Sequence, residues 1–214
     1  MNNMQEDRSG FLRDEMVDTQ LIARGIRDPK VLKAFRKVPR HLCVPANIQD
    51  AAYDDCALPI GEGQTISQPY MVAIMTELLE LTGKETILEI GAGSGYQAAI
   101  LCELARKVIS VERVKTLADR ASNKLKELGY QNFEVVVGNG AKGYKKQAPY
   151  DRILVTAAAD KIPQSLIDQL KEGGKLIIPV GNPYFQTLTI IEKIKGEIVT
   201  TESIGCVFVP LIDD

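Results

Sequence analysis

Three glycines spaced G-x-G-x-G with an acid beside them give this chain its first chemistry: Glu89-Ile90-Gly91-Ala92-Gly93-Ser94-Gly95. Glycines this close together let backbone approach a nucleotide where a strand hands over to a helix. The dinucleotide fingerprint is one residue longer, G-x-G-x-x-G, and a pyrophosphate at the helix N-terminus would be repelled by the Glu89 carboxylate. S-adenosyl-L-methionine carries a sulfonium and an ammonium and no phosphate, so an acid beside the loop attracts it. A second acid, Glu112, follows about twenty residues on, after the apolar run 108–111, where it can accept from both ribose hydroxyls. Glycine triplets also occur in plain turns. Acid, triplet, helix and second acid in register imply instead the cofactor site of a methyltransferase.

Such a loop needs a strand before it and a helix after it, and the pattern supplies both. Apolar runs at 86–90, 107–111, 133–137, 151–156 and 175–180 alternate with helix-like segments at 96–104, 114–128 and 163–170. That alternation predicts a mostly parallel Rossmann-like α/β sheet. The end differs: 187–194 and 198–209 are joined only by Lys195-Gly196-Glu197, which forces an antiparallel C-terminal hairpin at the sheet edge. Ahead of the sheet, residues 1 to about 10 read as a tail. Helices are expected from 11 to 24, stopping at Gly25, and from Pro29 with Asp28 as N-cap, ended by Pro39. The chain divides into 1–68, a tail, helical cap and active-site loop, and 69–214, the cofactor-binding part, in one compact unit. Ligands gather at the carboxyl ends of the strands in such a sheet, which singles out the loops 89–95, 112–113, 138–140 and 156–159.

The composition narrows the classes. A 214-residue chain with 45% hydrophobic and 25% charged residues has the makeup of an ordinary globular domain with a sizeable core. A net charge of -2 gives no electrostatic footprint for nucleic acid, and no apolar run is long enough for a membrane span. The N-terminus is too polar for a signal peptide. Cys43, Cys56, Cys102 and Cys206 lie far apart without metal-ligand spacing, and His41 is the only histidine, so no metal site is expected and a reducing cytoplasm fits. With one histidine and no G-x-S-x-G elbow, a hydrolase triad has nothing to build on.

Between the cap and the glycine loop stands Ala57-Leu58-Pro59-Ile60-Gly61-Glu62-Gly63-Gln64-Thr65-Ile66-Ser67-Gln68-Pro69-Tyr70-Met71. This resembles the signature of the protein-L-isoaspartate O-methyltransferases. Arg24-Gly25-Ile26, Val38-Pro39-Arg40, Thr156-Ala157-Ala158-Ala159 and Phe208-Val209-Pro210-Leu211 resemble further segments of that family. The likeness runs from about residue 16 to the end. It implies Ser67 as the active-site serine, Gln64, Thr65 and Ile66 as substrate-positioning neighbours, and Glu89, Gly91, Gly93, Gly95, Glu112, Asn139, Gly140 and Thr156 around S-adenosyl-L-methionine. It also implies methyl esterification of the free α-carboxylate of L-isoaspartyl and D-aspartyl residues in damaged proteins, leading to repair through a succinimide. A cytoplasmic monomer is expected, with isoaspartyl proteins and peptides as partners and neither nucleic acid nor membrane. The family commonly has Gly-Asp-Gly where this chain has Gly138-Asn139-Gly140, which replaces a charged acceptor for the adenine amino group by a neutral one. Val207 stands where many bacterial relatives carry arginine.

The residues suit that chemistry. An α-carboxyl with a pKa of about 3.5 is already ionised at neutral pH, so esterifying it needs no general base. What remains is placing an oxygen in line with the methyl. Other readings stay open at this point: Ser67 could be a helix N-cap, Tyr70 could stack on the adenosine or sit in the cap, and the acceptor could be another small-molecule or peptide carboxylate.

Overall fold

The computed structural model describes residues 3–213. The first helix, α1 (Asn3–Met16), starts well before residue 11, so the expected tail is corrected from Asn3 onward; residues 1 and 2 lie outside the described part. Strong helix formers on both sides of Ser9-Gly10 carry the helix through that weak pair. The helical path continues through one π turn and a 3-10 turn to Arg24 and ends, as the sequence indicates, at Gly25. Helix α2 (Pro29–Lys37) opens with the Asp28 carboxylate accepting from the Lys30 N–H. A short ribbon comes next, β1 (Leu58–Gly61) paired antiparallel with β2 (Gln64–Ile66), and leads into α3 (Pro69–Leu78).

The central sheet has seven strands. β3 (Thr86–Ile90), β4 (Lys107–Glu112), β5 (Phe133–Val137), β6 (Tyr150–Val155) and the start of β7 (Leu170–Asn182) run parallel, linked by α4 (Tyr96–Leu104), α5 (Lys115–Glu127) and the short α6 (Gln164–Asp168). β8 (Phe185–Ile194) and β9 (Glu197–Cys206) complete an antiparallel edge on β7. The order β5-β4-β3-β6-β7-β8-β9 makes this a Rossmann-like α/β sheet, mostly parallel with the antiparallel C-terminal hairpin expected from the sequence. β9 stops at Cys206 and not at residue 209. Beyond it Phe208 donates to the Gln186 side chain, and Leu211 donates to the Ala158 carbonyl, which turns the chain end over the sheet.

The chain goes first to one side of β3 and then to the other, so the carboxyl ends of β3 and β6 flank the crevice where such sheets bind ligands. Alternation along β3 decides which way its one acid turns. Leu88 and Ile90 enter one core with α6, while Ile87 enters the other, shared by α4 and the N-terminal helices. Residue 89 therefore faces α4.

Candidate active site

The glycine loop leaves β3 in a conformation that only Gly91 adopts easily, with φ at 96°. Its N–H donates to the Val111 carbonyl at 2.8 Å. From β6, the Thr156 hydroxyl reaches across to the carbonyls of Ile90 and Gly91, both at 2.9 Å. A methyl group on residue 91 would stand 2.3 Å from that hydroxyl. The loop after β5 comes equally close: a Cβ on Gly140 would lie 2.2 Å from Ile90 Cγ2. Three strand ends thus meet closely because residues 91 and 140 carry no side chain against Thr156 and Ile90.

Glu112 closes this floor from β4. One carboxylate oxygen accepts the Gly93 N–H and the other the Val114 N–H, each at 2.9 Å, and the residue is 7% exposed. A carboxylate has about four lone-pair sites, so two remain for hydroxyl donors in the cavity. Glu89 is arranged differently. It is fully buried on the α4 face, with one oxygen bonded to the Ser110 hydroxyl and the other without a partner. Burial pushes its carboxyl up to about 8, with Glu112 adding to the rise. It lies behind the cavity wall, not in it.

The cavity itself measures about 350 Å³, within the range of small-molecule sites. It brings together Gln64, Thr65, Ile66 and Ser67 from the segment after β1, Gly91 and Gly93, Glu112, Gly140 and Thr156. Glu89, Gly95 and Asn139 are not in its lining. Gly95 serves the start of α4, packed against Ala121. Asn139 caps a 3-10 turn, its carbonyl oxygen accepting the Ala141 N–H at 2.9 Å and its amide donating to Asp213 at 3.3 Å. One of that oxygen's two lone pairs is therefore committed to the turn.

Besides apolar lining residues such as Val72, Tyr96 and Val114, Gln97 and residues 209–212 escape sequence reasoning. Gln97, in the first turn of α4, is 7% exposed and fixed by donating to Thr76 Oγ1 at 3.0 Å. Residues 209–212 close the cavity from the chain's end. The apolar Phe208-Val209-Pro210-Leu211 run carried some signal for the second; nothing in the sequence marked Gln97.

A wider groove of about 590 Å³ lies on the outer side, bordered by Arg24, Gln68, Tyr70 and the end of β9. Thr65, Ser67, Thr156 and Val209 line both spaces, so these side chains form the wall between them. Helix α3 has Gln68 at its N-cap position with no side-chain cap, which rules out capping as the role of Ser67. Tyr70 does not face the cofactor cavity; its ring lies under the Arg24 guanidinium at 3.6 Å, and Arg24 pairs with Asp55 at 3.0 Å. His41 bonds to the Tyr53 hydroxyl at 2.8 Å, away from both spaces. The Cys206 thiol in the groove wall is pushed up to about 11 by burial and supplies no thiolate. Among the described residues no cluster of His, Cys, Asp or Glu could hold a metal, and no helix is long and apolar enough to cross a membrane.

Comparison with known proteins places this geometry. The family model described as protein-L-isoaspartate(D-aspartate) O-methyltransferase matches residues 12–214. A protein-L-isoaspartate O-methyltransferase of Methanoculleus marisnigri is 56% identical over 98% of this chain and 95% of its own length. One from Petrotoga mobilis is 54% identical over 93% of this chain and 94% of its own. A solved Plasmodium falciparum structure, described as a putative protein-L-isoaspartate O-methyltransferase in complex with S-adenosyl-L-homocysteine, superposes with a TM-score of 0.82 at 28% identity, covering 94% of this chain and 99% of the other.

Proposed function

The chain belongs to the protein-L-isoaspartate(D-aspartate) O-methyltransferase family, and from that premise we propose that it esterifies the free α-carboxylate of isoaspartyl residues in damaged proteins and peptides. The observation that carries the reading is the shared wall. Ser67 and Thr65 stand between a cavity sized for the cofactor and an open groove that admits a polypeptide. S-adenosyl-L-methionine, when bound, supplies an activated methyl on a sulfonium. The residues present fit it: Glu112 has lone pairs left to offer the ribose, and Gly91 and Gly140 line the cavity without side chains of their own.

The protein's own part is orientation and exclusion of water. The Ser67 hydroxyl makes no hydrogen bond within the described residues and is free to donate to a carboxylate oxygen in the groove. Thr156, locked by two carbonyls, keeps the wall fixed beside it. No proton has to be removed from an ionised carboxylate, which agrees with a wall of hydroxyls and no acid-base pair. Residues 1–68 serve as cap and active-site loop on the cofactor-binding part 69–214; side chains of both share one apolar core. We take it to act as a cytoplasmic monomer on isoaspartyl proteins and peptides, and a net charge of -2 offers nucleic acid no footprint.

The deciding experiment is methyl transfer from labelled S-adenosyl-L-methionine to paired peptides that differ only in an isoaspartyl or aspartyl linkage. Methylation confined essentially to the isoaspartyl peptide is expected. Equal rates on the two would refute the reading.

The role of Ser67 has its own test. Ser67→Ala is expected to lower kcat/KM by roughly 10- to 100-fold, the loss of one hydrogen bond to a charged group at about 1.5–3 kcal/mol. Cofactor affinity by calorimetry and the melting temperature should both stay at the wild-type values. A mutant with full turnover would remove Ser67 from the site.

A further inference from the structure

Glu89 is the group that neither the cavity nor the fold explains. It is fully buried, one oxygen is bonded only to Ser110, and the other has no partner. The titratable groups that act on it from the packed elements are Glu112 on β4 and Cys102 on α4, an acid and a thiol. No cation is among them. An ionised carboxylate in such a place is costly, and a proton on the orphan oxygen removes the cost. Burial accordingly pushes the carboxyl up to about 8. Yet the group sits directly behind the cavity: its chain neighbours Ile90 and Gly91 line the cavity, as does Glu112.

We propose that Glu89 is a positioning residue that holds a proton in the free protein and releases it when the methyl donor enters, so that the site distinguishes sulfonium donor from thioether product. The inference rests on the assignment of the cavity to S-adenosyl-L-methionine and deepens it. The donor carries a sulfonium and an ammonium against one carboxylate, a net charge of about +1, whereas the demethylated product is neutral overall. A positive charge in the cavity favours the ionised form of a carboxyl buried behind its wall, and by linkage the ionised carboxyl favours the charged ligand. On donor binding the Glu89 proton leaves to solvent. After transfer the methyl is on the acceptor as an ester, the sulfonium electron pair has returned to sulfur, and the Glu89 carboxylate takes a proton back. Below the Glu89 transition the donor-to-product ratio is lowest; above it the donor gains and the product does not.

Titration calorimetry of S-adenosyl-L-methionine and S-adenosyl-L-homocysteine, in buffers of differing ionisation enthalpy between about pH 6 and pH 9, tests this. Donor binding near neutral pH should release a substantial fraction of one proton, and product binding should release almost none. The donor-to-product affinity ratio should rise roughly tenfold across the range if the sulfonium makes the Glu89 carboxyl ten times more acidic. In Glu89→Gln both effects should vanish. A second measurement needs no ligand. Native Glu89 keeps its proton to about 8, against an ordinary value of 4.5, so the native state binds more protons in that window and its stability falls as pH rises through it. Denaturant melts of the wild type should show that fall, and Glu89→Gln should lack it. If the variant does not fold, the buffer-pair measurement on the wild type decides alone. Binding of both ligands with no proton moved, or a ratio flat with pH, overturns this inference and leaves the proposed function standing. Failure of either ligand to bind at any pH overturns both.

Discussion

Glu112→Ala is expected to weaken S-adenosyl-L-methionine binding by on the order of 100-fold or more, because two hydrogen bonds to a charged acceptor are lost at about 1.5–3 kcal/mol each. The difficulty is that Glu112 does two jobs. It holds the Gly93 and Val114 N–H groups, and its remaining lone pairs point the site at a diol. A cofactor analogue lacking one ribose hydroxyl separates the two. Wild type should bind the deoxy analogue much more weakly than the parent, and Glu112→Ala should bind the two alike, since the partner of the missing hydroxyl is already gone. If the variant still discriminates as wild type does, Glu112 serves the loop only. Glu112→Gln should rescue little: one amide oxygen can accept from one of the two N–H groups, while its NH2 faces the other donor.

How far the sequence carried the structure depended on whether a residue's neighbours were close in the chain. The Asp28 cap, the stop at Gly25 and the tight Lys195-Gly196 turn are local features and stand where local pattern put them. The strands stand in the expected order, though β7 begins at Leu170 and not 175, and β9 ends at Cys206 and not 209. The same holds for the glycine loop and for Glu112 at the end of β4. Glu89 shows the limit. β3 is buried on both faces, so its apolar residues do not reveal which way an acid among them turns. Proximity to the loop in sequence suggested direct attraction of the cofactor; the pleat directs the side chain beneath α4. Asn139 shows a second limit, since its oxygen goes to a turn two residues away. Residues 209–212 reach the cavity only through packing of distant segments, which no window along the chain contains, whereas Gln97 follows the glycine loop directly and its local pattern did not say which face of α4 it takes.

Gly91→Ala should be severely damaging for so small a change. At φ of 96° an alanine is strained by roughly 1–2 kcal/mol, and its Cβ would stand 2.3 Å from Thr156 Oγ1. Thr156 cannot turn away freely, because its hydroxyl is bonded to the carbonyls of Ile90 and Gly91. Moving it breaks the tie between β6 and the loop, and displacing the loop breaks the Gly91 N–H bond to Val111. We expect a stability loss of about 2–4 kcal/mol and a loss of detectable cofactor binding. A double variant, Gly91→Ala with Thr156→Ala, tells steric conflict from backbone strain. Removing the hydroxyl relieves the first and leaves the second, so the two changes together should cost less than their sum by about 1 kcal/mol or more. Strict additivity in urea melts would mean that residue 91 and Thr156 do not meet as described. Wild-type stability in the single variant would mean that the loop does not need glycine there at all.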